Sequence, residues 1–305
     1  MRLLSIGDNV CDVYLHLAAM YPGGQALNVG VYAKMLGQTS GYIGIFGQDE
    51  VSEHIRSVLN ELGVDHSHSR VYEGANGFAM VTLVDGERTF LGSNRGGIAS
   101  VTPLTLNCDD LDYISTFSVI HTSNNSHIDQ VLEQLKETGL PISYDFSIQW
   151  LEDTEWMKQI CSYCTFAFLS LPDDASEDDI QRYIRSFHEA GCPNVIATFG
   201  KKGSFFSDGK QLYVQKPHLV EAIDTLGAGD SFAAAFLVNY YNFLEADPDA
   251  MIPGSDYYQR AIHDCLDAAA EFSSATCLVR GAFGHGKTID PDTYTARMKE
   301  PGFVR

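Results

Sequence analysis

The chain has 305 residues and 45% of them are hydrophobic, enough for a large core and too many for a disordered protein. Its 40 acidic against 20 basic residues give a formal charge of −20, which argues against a broad grip on nucleic acid or on an anionic membrane surface, so any bound phosphate has to be held locally. No apolar run approaches the length of a bilayer span, the N-terminal MRLLSIGDNVCDVY acquires acids too early for a secretory leader, and seven scattered cysteines do not suggest a disulfide framework; a cytoplasmic enzyme with reduced thiols is the expectation.

In chain order, LLSI (3–6) reads as a buried strand and VCDVYLHL, from residue 10, as an extended segment with partial alternation. Residues 24–36 carry a helical pattern stopped at Gly37, GYIGIF (41–46) a strand, and residues 51–62 a helix stopped at Gly63. GFAMVTLV (77–84) runs into Asp85-Gly86 and returns as RTFLG, so residues 10–20 and 76–93 predict a small sheet projecting from the main body. SVIHT (118–122), ISYDF (142–146), FAFLS (166–170) and VIATF (195–199) read as further core strands, with helices over 126–138, 153–162 and 177–190 between them. GSFFS and QLYVQ flank Asp208-Gly209 as a hairpin, and EADPDAMIPGSD (245–256) reads as a surface insertion. This alternation predicts an α/β fold, residues 1–305 forming one domain around a mainly parallel central sheet flanked by helices. Cys161-x-x-Cys164 lacks a second ligand pair and leads into an apolar run, so it reads as a helix end rather than a zinc or redox site.

The stretch Asp224-Thr225-Leu226-Gly227-Ala228-Gly229-Asp230 precedes the apolar run SFAAAFLVNYYNF. Small residues at a helix start let a ligand approach backbone N–H groups at the positive end of the helix dipole, which makes an anion site. A carboxylate there repels a phosphate unless it has a task, such as accepting the proton of an attacking hydroxyl. A helix cap is the plain alternative for Asp230. Gly281–Thr288 also fits the expression GxxxxGK[ST], but Pro291 follows at once and too little chain remains for the strand and long helix a P-loop needs.

DTLGAGD completes the DTxGAGD hallmark of the ribokinase/PfkB family of carbohydrate kinases, and three further family motifs occur in order: GG-xxx-N at Gly23–Asn28, GxxGxD at Gly44–Asp49 and TxGxxG at Thr198–Gly203. The sequence thus resembles this family over nearly its whole length. The resemblance implies a ribokinase-like fold with a small β lid, ATP and Mg2+ as the phosphoryl source, and a monovalent cation as a further candidate. It implies Asp230 as catalytic base and the backbone of Gly227, Ala228 and Gly229 as anion hole. Asp12, Gly24 and Asn28, with Asp8 nearby, would bind sugar hydroxyls, and Thr198, Gly200, Gly203 and Thr225 would lie with the nucleotide. Lys201 and Lys202 are either phosphate contacts or solvated loop lysines. Ser170-Leu171-Pro172-Asp173 stands where family members often carry NxxE, so no metal ligand is assigned, although Asp173 is a candidate substitute. Family members often dimerise through the lid, so a homodimer is implied as well.

Within the family, IGDNVCDVY, GGQALNV and FLGSNRGG resemble bacterial fructoselysine 6-kinase-like proteins. That implies phosphate transfer to the primary 6-hydroxyl of a fructosamine, with Arg95 meeting a substrate carboxylate. His121 and Asn124 are candidates to face the substrate, a satisfied polar strand end being the alternative. Fructose, ribose or a 2-keto sugar acid are alternative acceptors, and a nucleoside is another if Tyr14, Phe78 and Phe90 sandwich a base. From another class, a non-catalytic sugar or nucleotide sensor would be marked by a damaged phosphate site. Here Asp230 and both motif glycines are present.

Overall fold

The computed structural model describes residues 1–84, 87–299 and 303–304, so the Asp85-Gly86 turn lies outside the described residues. The chain opens with β1 (Arg2–Gly7), β2 (Val10–Tyr14), β3 (Ala19–Gly23), α1 (Gln25–Met35), β4 (Thr39–Phe46) and α2 (Glu50–Leu62). β5 (Arg70–Val71), β6 (Gly77–Val84), β7 (Glu87–Ser93), α3 (Cys108–Ile114), β8 (Val119–Ser123) and α4 (Leu132–Glu137) follow. Then come β9 (Ile142–Asp145), α5 (Thr154–Cys161), β10 (Phe166–Ser170), α6 (Glu177–Glu189) and β11 (Asn194–Thr198). The chain continues through β12 (Ser204–Ser207), β13 (Leu212–Gln215), α7 (Ala228–Ala246), α8 (Asp256–Thr276), β14 (Lys287–Thr288) and α9 (Pro291–Arg297).

Among the described residues the strands form two sheets. The main one has the order β13-β12-β11-β10-β9-β8-β1-β4-β5 and is parallel from β11 to β5, with the β12–β13 hairpin as its antiparallel edge. The smaller one has the order β14-β3-β2-β6-β7; β2 runs parallel to β6 and its other pairs are antiparallel. The small sheet draws on residues 10–14, 19–23, 77–84, 87–93 and 287–288.

The central strands are apolar on both faces, as a sheet covered on both sides requires. Leu3 and Leu4, Tyr42 and Ile43, Phe166 and Ala167, and Ile196 and Ala197 send consecutive side chains into opposite cores. One core holds the buried faces of α1, α2, α7 and α8, and the other those of α4, α5 and α6. α7 is apolar almost all round because α1 and α8 flank it; Phe232, Ala233, Ala234, Ala235, Phe236, Leu237 and Val238 are all buried. Each large side chain among them contributes on the order of 1.5–3 kcal/mol on burial, which anchors the first turn of α7 against the sheet.

One expectation needs correction. The helix expected over 126–138 is α only at Leu132–Glu137, because His127 takes a left-handed backbone (φ 53°) that breaks the helix into short 3-10 turns. The stretch 245–256 connects α7 to α8 and lies at the surface, with Met251 buried. Cys161 and Cys164 are buried and burial pushes both thiols up, in keeping with a structural pair. Among the described residues no helix is long and apolar enough to cross a membrane.

Candidate active site

The C-terminal ends of parallel strands are where α/β sheets leave a crevice. β1 ends at Gly7, and the chain rises into the small sheet before returning to α1. Gly24, the N-cap of α1, has φ 117°, and a Cβ there would stand 2.7 Å from the carbonyl oxygen of Asp8. Only glycine permits this crossing. Asp8 then closes the helix start: its carboxylate accepts from Gln25 N (2.8 Å) and Ala26 N (3.0 Å), and from the hydroxyls of Ser123 (3.2 Å) and Ser126 (3.3 Å). Asp8 lines the cavity, but both its oxygens are engaged within the protein.

α7 begins at Gly227, whose φ of 77° turns the chain into the helix, and a Cβ there would stand 2.5 Å from Tyr32 Oη and 2.7 Å from Ala282 Cβ. Its first N–H groups have no partners within the helix, and that of Ala228 donates to the Thr225 carbonyl (3.3 Å) of the preceding turn. At Gly229 an added Cβ would meet nothing within 4 Å, so the space before the helix mouth is open. The carbonyl of Ala228 is tied back by the hydroxyls of Ser231 (3.0 Å) and Ser273 (2.8 Å).

The motif's two acids have different surroundings. Asp224 is fully buried: Oδ2 accepts from Tyr14 Oη (2.7 Å) and Gly281 N (2.9 Å), and Oδ1 from Leu226 N (3.0 Å). It pins the turn to β2 and to the glycine-rich loop at 281. That loop pairs Lys287 and Thr288 with β3 and leads to Pro291 at the start of α9, so it is not a P-loop. Asp230 instead lines the cavity, and Asn28 Nδ2, from the first turn of α1, donates to its Oδ2 at 2.7 Å. Two helix N-termini thus converge on one buried carboxylate.

A cavity of about 900 Å³ brings together Asp8, Asp12, Gly24, Asn28, Arg95 and the turn from Thr225 to Asp230. Asn28 Oδ1 and Gln25 Oε1 are buried acceptors with no hydrogen-bond partner among the described residues, as acceptors awaiting hydroxyl donors would be. A second cavity of about 350 Å³ is lined by Thr198, Gly200 and Gly203. Both cavities share Ala228 and Gly229, so the mouth of α7 forms the wall between them.

Thr225 lines the larger cavity, not the smaller one with the other residues expected at the nucleotide. It sits on the turn ahead of α7, where its carbonyl accepts from Ala228 N (3.3 Å). His121 is fully buried inside β8 against Ser143 and lines neither cavity; burial lowers its pKa to about 3. Asn124 also lies off both walls, while its neighbours Asn125, Ser126 and His127 line the larger cavity. Phe78 and Phe90 line the larger cavity but Tyr14 does not, so no three-ring sandwich forms. Asp173 lines the smaller cavity, where its carbonyl accepts from Lys202 Nζ (2.6 Å), which also lies over the Phe199 ring.

Gln25, Ser147 and Gln149 on the larger wall, and Lys216, His218 and Ser274 on the smaller, escaped the sequence reading. Gln25 alone had a signal, since it lies inside the GG-xxx-N match. Ser274 comes from the last turn of α8 and Gln149 from a 3-10 turn, the rest from loops, none with a motif of its own.

Two cavities sharing a helix mouth, with a carboxylate at the wall, have room for two substrates that meet there, and sequence comparison gives the class of the protein. The pfkB family carbohydrate kinase profile matches residues 9–285, and the chain belongs to that family of sugar kinases. It is similar to fructosamine kinase FrlD of Bacillus subtilis (strain 168), with 39% identity over 99% of this chain and 97% of that one. It is also similar to the fructoselysine 6-kinase of Escherichia coli (strain K12), with 32% identity over 78% of this chain and 88% of that one. Among solved structures, that of Arabidopsis thaliana ribokinase complexed with ribose and ATP superposes with a TM-score of 0.72 at 21% identity, covering 98% of this chain and 99% of that one. The fold is therefore ribokinase-like.

Proposed function

We propose that this sugar kinase transfers the γ-phosphoryl group of ATP to the primary 6-hydroxyl of a fructosamine such as fructoselysine. The observation that carries the reading is the shared wall: the acceptor in the larger cavity and the triphosphate in the smaller can meet only at Ala228–Gly229, beside Asp230. Asp230 takes the hydroxyl proton as the oxygen attacks phosphorus, the bond to the bridging oxygen breaks, and ADP leaves. The N–H groups at the mouth of α7 face the charge on the transferring group. Asn28 holds one Asp230 oxygen through Nδ2 and offers Oδ1 to a sugar hydroxyl; Asp12 and Gln25 supply further acceptors, and Asp8 fixes α1 beneath them.

Thr198, Gly200 and Gly203 flank the nucleotide. Magnesium would be held by phosphate oxygens and water. It would offset phosphate charge there. The small sheet supplies Val10, Asp12, Phe78 and Phe90 to the cavity and acts as a lid that excludes water. Its half-exposed Phe90 offers an apolar contact for a second copy.

The fructosamine acceptor is supported by the names of the two curated relatives and by a cavity much larger than one hexose fills. The test is a coupled ADP-release assay with ATP and magnesium over fructoselysine, fructose, ribose and a 2-keto sugar acid. Highest kcat/KM on fructoselysine is expected. A clear preference for free fructose would overturn the acceptor, and no turnover on any sugar would overturn the kinase reading of this site.

A further inference from the structure

The larger cavity has a buried end and an exposed end. Asp12, Asn28 and Asp230 are at most 8% exposed, whereas Arg95, Asn125, His127 and Gln149 on the same wall are exposed. The buried end carries the acids and the reacting carboxylate. Arg95 is the one Lys or Arg among the described residues of this wall, and no described residue pairs with its guanidinium. In a chain of net charge −20, an exposed arginine left without an acid needs a reason.

Its loop is also built rather than slack. Asn94 ties it to the small sheet, donating from Nδ2 to the Asn76 carbonyl (2.7 Å) and accepting at Oδ1 from Phe78 N (2.9 Å). Gly97 N closes onto the Asn94 carbonyl (3.0 Å), and Arg95 N donates to Ser93 Oγ (3.1 Å). Arg95 is thereby held at φ 56°, a left-handed conformation that a non-glycine residue enters at a cost. His127 (φ 53°) and Ser147 (φ 49°) take the same left-handed conformation, and both line this cavity. Three separate loops therefore each hold a non-glycine residue in an unfavourable backbone around one opening.

We propose that this exposed end is a subsite for the carboxylate of an amino-acid substituent on the sugar amine, with Arg95 as its cation and His127, Ser147 and Gln149 as neutral polar partners for the rest of that head group. The inference rests on the fructosamine reading above. The sugar ring occupies the buried acceptors, its 6-hydroxyl faces Asp230, and the substituent runs outward to Arg95. A guanidinium meets a carboxylate through paired N–H bonds, and the exposed lip keeps the desolvation cost of that pair small. The acids that favour a polyol inside would repel a carboxylate there, so the two ends of the substrate are sorted by charge.

The test compares kcat/KM for fructoselysine, for the same compound with hydrogen in place of the carboxylate, and for free fructose, in the wild-type chain and in Arg95→Gln and Arg95→Lys. For the wild type, loss of the carboxylate is expected to lower kcat/KM about 10- to 100-fold, mainly through KM. Arg95→Gln is expected to lower kcat/KM on fructoselysine by a similar factor and to narrow the ratio between the two fructosamines to about twofold, with Arg95→Lys falling between. Equal wild-type kcat/KM on the two fructosamines overturns the subsite and leaves the fructosamine kinase standing. An undiminished ratio in Arg95→Gln assigns the discrimination elsewhere and overturns the role of Arg95. Preference for free fructose over both overturns the acceptor reading and this subsite with it.

Discussion

Replacing Asp224 by asparagine separates the two acids of DTLGAGD. The side chain keeps its shape, and its remaining oxygen can stay on Leu226 N–H, but an NH2 group then faces the two donors that Oδ2 now accepts, Tyr14 Oη at 2.7 Å and Gly281 N at 2.9 Å. The Tyr14 hydroxyl can turn and accept; the Gly281 N–H cannot. One buried N–H is left without an acceptor, at about 1–3 kcal/mol, and a charge-assisted bond becomes a neutral one, for a total loss on the order of 2–4 kcal/mol. For a chain of 305 residues this corresponds to a fall in Tm of roughly 3–6 °C. Thermal unfolding without substrates reads it directly. Tyr14→Phe, which leaves both N–H donors satisfied, should cost about 1 kcal/mol. A Tm within about 1 °C of wild type for Asp224→Asn, with turnover as depressed as in Asp230→Asn, would refute the structural role argued for Asp224.

Asp230→Asn should show the reverse pattern: near-normal Tm and retained nucleotide binding by calorimetry, with kcat lowered about 10²- to 10⁴-fold. Near-normal turnover would remove Asp230 from its role. Gly227→Ala places a methyl 2.5 Å from Tyr32 Oη at a left-handed φ, so it should lose stability, whereas Gly229→Ala projects into open space and should fold normally but lose turnover as the methyl enters the phosphate position. Equal Tm losses in the two variants would contradict the open mouth. Asp145, buried at the end of β9, has its pKa raised to about 6 by burial, with Asp8 adding to the effect and the Ser147 N–H opposing it. A carboxyl whose folded pKa is raised stabilises the fold while protonated and penalises it increasingly as pH rises from about 4 through 6. At pH 7.5 that penalty is on the order of 2–3 kcal/mol, so Asp145→Asn should raise Tm at pH 7.5 and not at pH 4. The same change in Tm at both pH values would exclude the linkage.

The residues of the site were legible where local chemistry announces itself. Asp230 and the small-residue turn follow from a carboxylate and glycines placed before a run so apolar that it must be a buried helix, and the six core strands followed from short apolar runs with glycine stops between them. Roles that depend on which loops meet were not legible. Asp8, in GDNVCD, could equally have faced a sugar; its oxygens meet Gln25 N, Ala26 N and two serines only because β1, α1 and β8 converge. The break at His127 gave no warning, since the pattern over 126–138 is helical and nothing in it marks a left-handed residue. β3 and β14 are strands only by pairing, one with Pro22 inside it and the other two residues long.

By itself the sequence determined the layered α/β class and the small-residue turn that opens a buried helix, because periodicity, glycine and charge act over a few neighbouring residues. The tertiary structure decided which acid faces the cavity and which one fastens the turn, and that Arg95 stands at the cavity's exposed end. Asp224 and Asp230 are six positions apart with the same side chain; Tyr14, Gly281 and Asn28, brought in from distant parts of the chain, give them different surroundings.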